Sequence, residues 1–443
     1  MNRRKIFRSL GAGVLVFSVV TGFSVTRYVL AHPNEPLQQN VASWARNKGM
    51  GAVVDKLEAW MHSDPPAVAP VDTLALVSFD SDPPQIETTT PPSSTENLPG
   101  VSTPHITHPT GNSAPAVRTP VKATQSCPAP KNVSTTIATT TTTTTTSSPL
   151  PDETTTTTTT TIPSRPTDIE AFISPAIKGE GVWHAIAKVR KEPIIYASSI
   201  RPLWCYGSVV ATMATYDPTK VHAALFNGTE VPGGKNWNNS SRIRGSAVKS
   251  LIASFSGGFR FEHEPGGYVT EGRTVRALRK GYATFGIRAD GTSTIGVWGE
   301  DMHADEGWTS LRQNLPPLVA ENKSVYRSFK AVNWGEDFDN KVFNFRSAAC
   351  LRTDGLMMFV AVGKVNIGML ADTLVLLGCK TAMELDINGT WPFFATYTDF
   401  GKTDRTGKTI DTRMGDPGRH LHGATKDFFA LFDPETLKPG SLK

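Results

Sequence analysis

The chain has 443 residues, 45 of them basic and 40 acidic, for a net charge of +5. So small an excess, spread along the chain, leaves no electrostatic footprint for nucleic acid, and no nucleic-acid partner is expected. Four cysteines without Cys-x-x-Cys spacing exclude a disulfide scaffold and a structural zinc site.

The first element carries the marks of export. Arg3, Arg4, Lys5 and Arg8 precede an apolar run from Leu10 to Val25, the charged and hydrophobic regions of a targeting segment. The run is about 16 residues, somewhat short for a bilayer, though residues 28–31 can extend it and Arg27 can snorkel. Val29-Leu30-Ala31 also resembles a cleavage site. An uncleaved anchor over 1–31 is the favoured expectation and a removed signal peptide the alternative. Either puts the remainder at the extracytoplasmic face of the cell membrane, or beyond it. Over residues 32–62, Val41, Trp44, Val53, Val54, Leu57 and Trp60 make a rough helical stripe interrupted at Gly49 and Gly51. A membrane-proximal helical segment is expected, lying on the bilayer or packed on the folded head.

From 63 to 165 the composition changes. Prolines recur, and threonine runs fill 139–146 and 154–161. Few apolar side chains are present to offset chain entropy, so a disordered Thr/Pro-rich stalk is expected. Asn132 and Asn227 each open an Asn-x-Ser/Thr triplet, a weak glycosylation signal.

The ordered sequence is 166–443. Strands are expected over 193–200, 207–216 and 221–226, and a helix or strand over 244–255 leads into Ser256-Gly257-Gly258. Adjacent glycines there would let backbone N–H groups approach a ligand. Segments 282–287 and 294–298 flank Ala289-Asp290-Gly291, a hairpin signal. Asp301, His303, Asp305 and Glu306 follow, a solvated loop or a cation site. A short helix is expected over 308–315, carrying the consecutive donors Arg312, Gln313 and Asn314. A second hairpin spans 342–350 and 356–362. Its Arg346, among apolar neighbours, requires a carboxylate or a bound phosphate. Buried thiols are expected at Cys350 and Cys379, with a bridge as the alternative. A helix over 367–377 ends at Gly378.

It feeds Thr381–Trp391, where acids alternate with Met383, Leu385 and Ile387. Period two puts Glu384, Asp386 and Asn388 on one face, two carboxylates and an amide projecting together from a strand end. A polar loop with His420 and His422 precedes a closing apolar element over 427–432. The fold class expected is α+β: a single hairpin-rich mixed globular domain behind the anchor and stalk.

Taken in order, Gly179-Glu180-Gly181-Val182-Trp183, Ile200-Arg201-Pro202, Phe255-Ser256-Gly257-Gly258-Phe259, Arg312-Gln313-Asn314-Leu315, Phe345-Arg346-Ser347-Ala348 and Ala382-Met383-Glu384-Leu385-Asp386-Ile387-Asn388 resemble the phosphodiester glycosidase family, its exported actinobacterial members above all. The resemblance implies a hydrolase of sugar-1-phosphodiester linkages in cell-envelope or exopolysaccharide glycans. It implies a phosphoglycan or sugar-phosphate substrate, with no cofactor and no metal. It implies Asp386, Glu384 and Arg346 as catalytic residues, Arg346 meeting phosphate charge. Ser256, Gly257, Gly258, Arg312, Gln313, Asn314 and Asn388 would bind substrate. Two positions depart from the family pattern: Ser256 stands where Asn is usual, and Leu203 where Asp is common. Two rivals remain. One is a stalked, non-catalytic glycan-binding or structural module. The other is a metal-dependent hydrolase of wall phosphoglycans using Asp301, His303 and Asp305.

Overall fold

The structure, a computed structural model, describes residues 22–31, 37–62, 65–66, 141–143, 158–160, 162–304, 306–329, 334 and 342–442. The basic cluster and most of the apolar run lie outside these residues. Among the described residues no helix is long and apolar enough to cross a membrane. Residues 22–31 are helical. Helices α1 (Leu37–Ala45) and α2 (Gly51–Met61) follow, joined by a distorted turn at Arg46–Met50 whose Gly49 has φ +81°. The glycine interruption noted in the sequence is therefore a bend between two helices. This segment touches the head: the Phe343 N–H donates to His62 O at 2.9 Å, and the Tyr28 hydroxyl lies 3.5 Å from Glu230 Oε1. Leu37, Val53, Leu57, Trp60 and Met61 remain exposed. Of the threonine-rich stretch, Thr141–Thr143 pairs antiparallel with Thr158–Thr160. Most of the remainder lies outside the described residues, Asn132 included.

The head is built chiefly from strands: β1 (His184–Val189), β2 (Glu192–Ile200), β3 (Ala211–Tyr216), β4 (His222–Phe226), β5 (Leu251–Ser256), β6 (Tyr268–Thr270), β7 (Arg273–Arg276), β8 (Ala283–Arg288), β9 (Ser293–Val297), β10 (Trp308–Gln313), β11 (Val319–Ala320), β12 (Lys323–Ser324), β13 (Asn344–Arg352), β14 (Met357–Val365), β15 (Cys379–Ile387), β16 (Phe394–Tyr397), β17 (Gly407–Thr409) and β18 (Phe428–Phe432). Its helices are α3 (Ala247–Ser250), α4 (Ile367–Leu376) and α5 (Arg419–His422), with a 3-10 turn at Tyr326–Ser328. The mixed, hairpin-rich domain expected from sequence is present, with little helix. Three antiparallel sheets form: an eight-stranded one ordered β12-β11-β15-β13-β14-β3-β2-β1, and five-stranded ones ordered β17-β16-β5-β18-β4 and β9-β8-β10-β6-β7.

The central strands of the eight-stranded sheet are buried on both faces, and period two divides their side chains between two cores. Phe359, Ala361, Met383 and Leu385 join one apolar cluster, shared with Phe255, Phe285, Phe394 and Phe429 of the smaller sheets. Met358, Val360, Val362 and Ala382 join the other, against Leu370, Ala371 and Leu374 of α4. In the first core Phe285 and Phe429 stack with ring centroids 4.2 Å apart, and Phe255 lies over Phe429 at 5.1 Å. α4 starts where Asn366 Oδ1 accepts the Met369 N–H at 2.9 Å, and stops before Gly378, φ +77°.

Two expectations are corrected, and the weak signal at Asn227 is accounted for. The segment around Arg312 is strand β10, not a helix. It pairs with β8 on one side and β6 on the other, so sheet hydrogen bonds on both edges override the helical spacing of Leu311 and Leu315. Cys350 and Cys379 form a disulfide across β13 and β15, with Cα atoms 5.7 Å apart. Their neighbouring strands bring the two thiols to bridging distance. Asn227 is buried, 1% exposed. Its Nδ2 donates to Asn239 O at 2.8 Å, and its Oδ1 accepts from the Tyr268 hydroxyl at 2.9 Å, so the folded chain offers no acceptor there for a glycan.

Candidate active site

β15 ends in the site, but not with the alternation its sequence suggests. Opposite β13, Glu384 pairs with Ala348 and Ile387 with Arg346, a register shift that inserts one extra residue into β15. This bulge turns the strand end. Met383 and Leu385 stay on the aromatic core, while Ile387 passes to the core beneath α4. Asn388 lies beyond the strand with φ +72°, its N–H donating to Phe345 O at 3.0 Å. The shared face of Glu384, Asp386 and Asn388 therefore does not form.

The two acids meet different cations. Glu384 Oε1 accepts from Arg346 Nη1 at 2.8 Å, both side chains fully buried. Arg346 also donates to the carbonyls of Val365 at 3.1 Å and Trp334 at 2.9 Å. Of the two partners the sequence leaves open for Arg346, the structure supplies the carboxylate. Asp386 Oδ1 instead accepts a hydrogen bond from Lys426 Nζ, and Asp386 Oδ2 has no partner among the described residues. Both residues are buried, and Lys426 Nζ sits 4.6 Å above the ring of half-buried Trp391. Ser347 Oγ donates to Asp386 O at 2.6 Å and fixes the backbone of the strand end.

Next to this pair lies a second ionic cluster. Arg312, fully buried, donates from Nε to Asp427 Oδ2 at 2.9 Å and from Nη1 to Glu264 Oε1 at 3.0 Å. The Gly-Gly loop wraps this arginine. The Gly257 N–H donates to Asp427 O at 3.1 Å and the Phe259 N–H to Asn314 Oδ1 at 2.8 Å. A Cβ on Gly257 would stand 2.2 Å from Asp427 Oδ2, and one on Gly258 2.6 Å from Arg312 Nη2. The glycines thus permit close packing on an ion pair, and these amides are spent within the protein. Asn314 Nδ2 reaches Glu384 O at 2.8 Å, tying the loop to β15. Gln313 faces away: its Oε1 accepts from Gly267 N and Arg279 N, and its Nε2 donates to Arg279 O and Thr284 Oγ1. Ser256 Oγ is buried without a partner among the described residues. Leu203 packs in the core beneath α4.

Burial dominates the ionisation of the cluster. It pushes the Asp386 carboxyl up to about 6, against the opposing charge of Lys426. It pushes Glu264 up to about 7, against Arg312. It lowers Lys426, which Asp386 holds up. The His420 ring is buried too, stacked on Phe428 at 3.9 Å, with Nδ1 2.7 Å from Ser254 Oγ. Burial carries it well below its ordinary value.

The acidic run after β9 is engaged in its own turn. Asp301 Oδ1 accepts from the Val297 N–H, while Glu306 takes the His303 N–H at 2.9 Å and Arg288 at 3.1 Å. Asp305 lies outside the described residues, and no metal-holding group of three His, Cys, Asp or Glu occurs among those described.

Sequence reasoning therefore finds Asp386, Arg312, Ser256 and the two glycines, which the fold brings together, and Glu384, Arg346 and Asn314 beside them. It misses Lys426, Asp427, Glu264 and Trp391. A Lys-Asp dipeptide at the mouth of the last apolar strand is the only local hint of the first two.

Comparison with known proteins bears on the same stretch. Residues 249–387 match the model of a family described as phosphodiester glycosidase. The matched stretch contains Ser256, Arg312, Arg346, Glu384 and Asp386, and ends before Trp391, Lys426 and Asp427. No curated protein matches the chain by sequence. Among solved structures, the catalytic domain of zebrafish N-acetylglucosamine-1-phosphodiester alpha-N-acetylglucosaminidase, auto-inhibited by its pro-peptide, is similar at 17% identity. That alignment covers 56% of this chain and 87% of that one, with a TM-score of 0.38. A hypothetical protein from Synechocystis is similar at 11% identity, covering 56% of this chain and 64% of that one, with a TM-score of 0.35.

Proposed function

From the phosphodiester glycosidase match over residues 249–387, we propose that this protein hydrolyses sugar-1-phosphodiester linkages at the glycosidic C–O bond. The observation that carries the reading is Asp386: a buried carboxylate inside the matched stretch, with Oδ1 engaged and Oδ2 unpartnered among the described residues. Water attacks the anomeric carbon as the C–O bond to phosphate breaks, its electron pair leaving on the phosphate oxygen. The water proton passes to Asp386 Oδ2, and a free sugar and a phosphomonoester result. A phosphomonoester is already a good leaving group, so little acid catalysis is required. The same carboxylate stabilises positive charge developing on the sugar ring. With its carboxyl at about 6, Asp386 is ionised, and competent as a base, above that pH.

Ser256 Oγ is a second buried atom available to a sugar or phosphate oxygen. Arg346 and Glu384 satisfy one another and brace the strands that present Asp386. The substrate is placed outside the cytoplasm, in cell-envelope or exopolysaccharide glycans, with the chain held at the membrane by residues 1–31. Support comes from the basic and apolar N-terminal pattern and from the Cys350–Cys379 bridge.

The test is release of reducing sugar from a panel of sugar-1-phosphodiesters by the full chain. Asp386→Asn should lower turnover about 10²–10³-fold while remaining folded. A folded Asp386→Asn protein with wild-type turnover would remove Asp386 from the reaction. No turnover on any member of the panel, with glycan binding retained, would favour a non-catalytic module.

A further inference from the structure

Lys426 lies 40 residues from Asp386 in sequence and outside the matched stretch, yet its side chain closes on the Asp386 carboxylate. We propose that Lys426 is the positioning residue of the site: its ammonium keeps Asp386 as a carboxylate and pins Oδ1, leaving Oδ2 alone to meet the attacking water. The inference rests on the hydrolytic reading above and assigns a residue that reading leaves unused.

The geometry separates this role from ordinary charge balance. Asp386 is 1% exposed and Lys426 6% exposed, so neither charge is held by solvent. The charged groups acting on Asp386 are Lys426, Asp427 and Arg312. Arg312 is already committed to Asp427 and Glu264, and Asp427 opposes ionisation of its neighbour. Lys426 is therefore the one cation hydrogen-bonded to Asp386 among the described residues. Lys426 in turn feels Asp386 and Asp427, which favour its charge, and Arg260, which opposes it. The Trp391 face, 4.6 Å from Nζ, adds a cation–π contact that helps offset desolvation. A carboxylate held at one oxygen by a buried donor has its other lone pairs fixed in direction, which is what a general base requires.

The sign of the test follows. Removing a positive charge from beside Asp386 raises its carboxyl further, so the acid limb of the rate profile moves to higher pH. In the full chain, Lys426→Met and Lys426→Gln should shift the acid limb of kcat up by about one pH unit or more. That is roughly a tenfold loss below the limb, with recovery above it. Lys426→Arg, which retains the charge, should leave the limb near its wild-type position. Limbs that coincide in all four proteins, or a loss uniform across pH, would overturn the proposal and leave Lys426 a structural latch. Lys426→Gln keeps a donor and much of the volume, and so serves where Lys426→Met fails to fold.

A second readout does not depend on turnover. Titration of 13C-labelled aspartate carboxyls, with Asp386 assigned by its loss in Asp386→Asn, should show Asp386 titrating higher in Lys426→Gln than in wild type. An unchanged titration overturns the proposal. If the wild-type chain cleaves no sugar-1-phosphodiester, the hydrolytic reading fails and this titration alone decides whether Lys426 governs Asp386.

Discussion

At Asp386 two effects oppose one another. Burial opposes its charge, and Lys426 restores enough of it to leave the carboxyl at about 6. The raised value has a consequence for stability. A carboxyl whose folded value exceeds its unfolded one stabilises the fold fully below the unfolded value, and that contribution is lost as pH rises through the folded value. Wild type should therefore lose, between about pH 4 and 7, on the order of 2–3 kcal/mol that Asp386→Asn does not lose. Denaturant unfolding of both proteins at several pH values measures the difference, and Glu264, which titrates in both, cancels. Parallel curves would show that Asp386 is not held up by burial. This residue was legible in the sequence because it alternates with Met383 and Leu385. Its partner was not, since no local pattern ties position 386 to position 426.

At the scale of elements, the hairpins declare themselves and the strand ends do not. Ala289-Asp290-Gly291 and Thr353-Asp354-Gly355 each stand where a chain reversal must occur, and β8–β9 and β13–β14 form around them. The bulge in β15 has no glycine to announce it. It arises where the strand must serve both Arg346 and Lys426, and it separates two acids that strict alternation would have placed together. β10 departs from the helix its sequence suggests for a related reason: a strand hydrogen-bonded on both edges can carry a polar, helix-forming sequence such as Leu311-Arg312-Gln313 when those side chains find buried partners. The Arg346–Glu384 pair joins β13 to β15 in full burial. Arg346→Met or Glu384→Gln alone should cost about 3–5 kcal/mol, because each strands the other charge, and the double variant should cost clearly less than the sum. A double-mutant cycle by denaturant unfolding reads this. Additive costs would mean that the carbonyls around Arg346, not Glu384, satisfy it.

Over the whole molecule, the site belongs to no single sheet. Asp386 comes from the eight-stranded sheet, Arg312 from one five-stranded sheet, and Ser256, with Lys426 and Asp427 at the start of β18, from the other. The strand-rich head falls where the sequence places its apolar segments, within 166–443. The way three sheets converge is a long-range property that no window of sequence contains. The Cys350–Cys379 bridge, closing a separation of 29 residues, clamps β13 to β15 at the end of β15 away from Asp386. Replacing both cysteines by alanine should lower stability by roughly 3–4 kcal/mol. An unfolding midpoint unmoved by the replacement would show that the surrounding strands hold their register without it.

β18 is not an edge. It lies between β5 and β4, with Lys426 and Asp427 at its mouth, and it is the last strand among the described residues. A chain growing from its N-terminus therefore completes Asp386, Arg312 and the glycine loop well before it possesses the lysine that faces Asp386 or the aspartate that faces Arg312. Until residues 426–432 emerge, one sheet lacks an inner strand and Asp386 lacks its counter-charge. On the hydrolytic reading, a chain cut short ahead of residue 426 should therefore release no sugar from a sugar-1-phosphodiester, however much of its head remains.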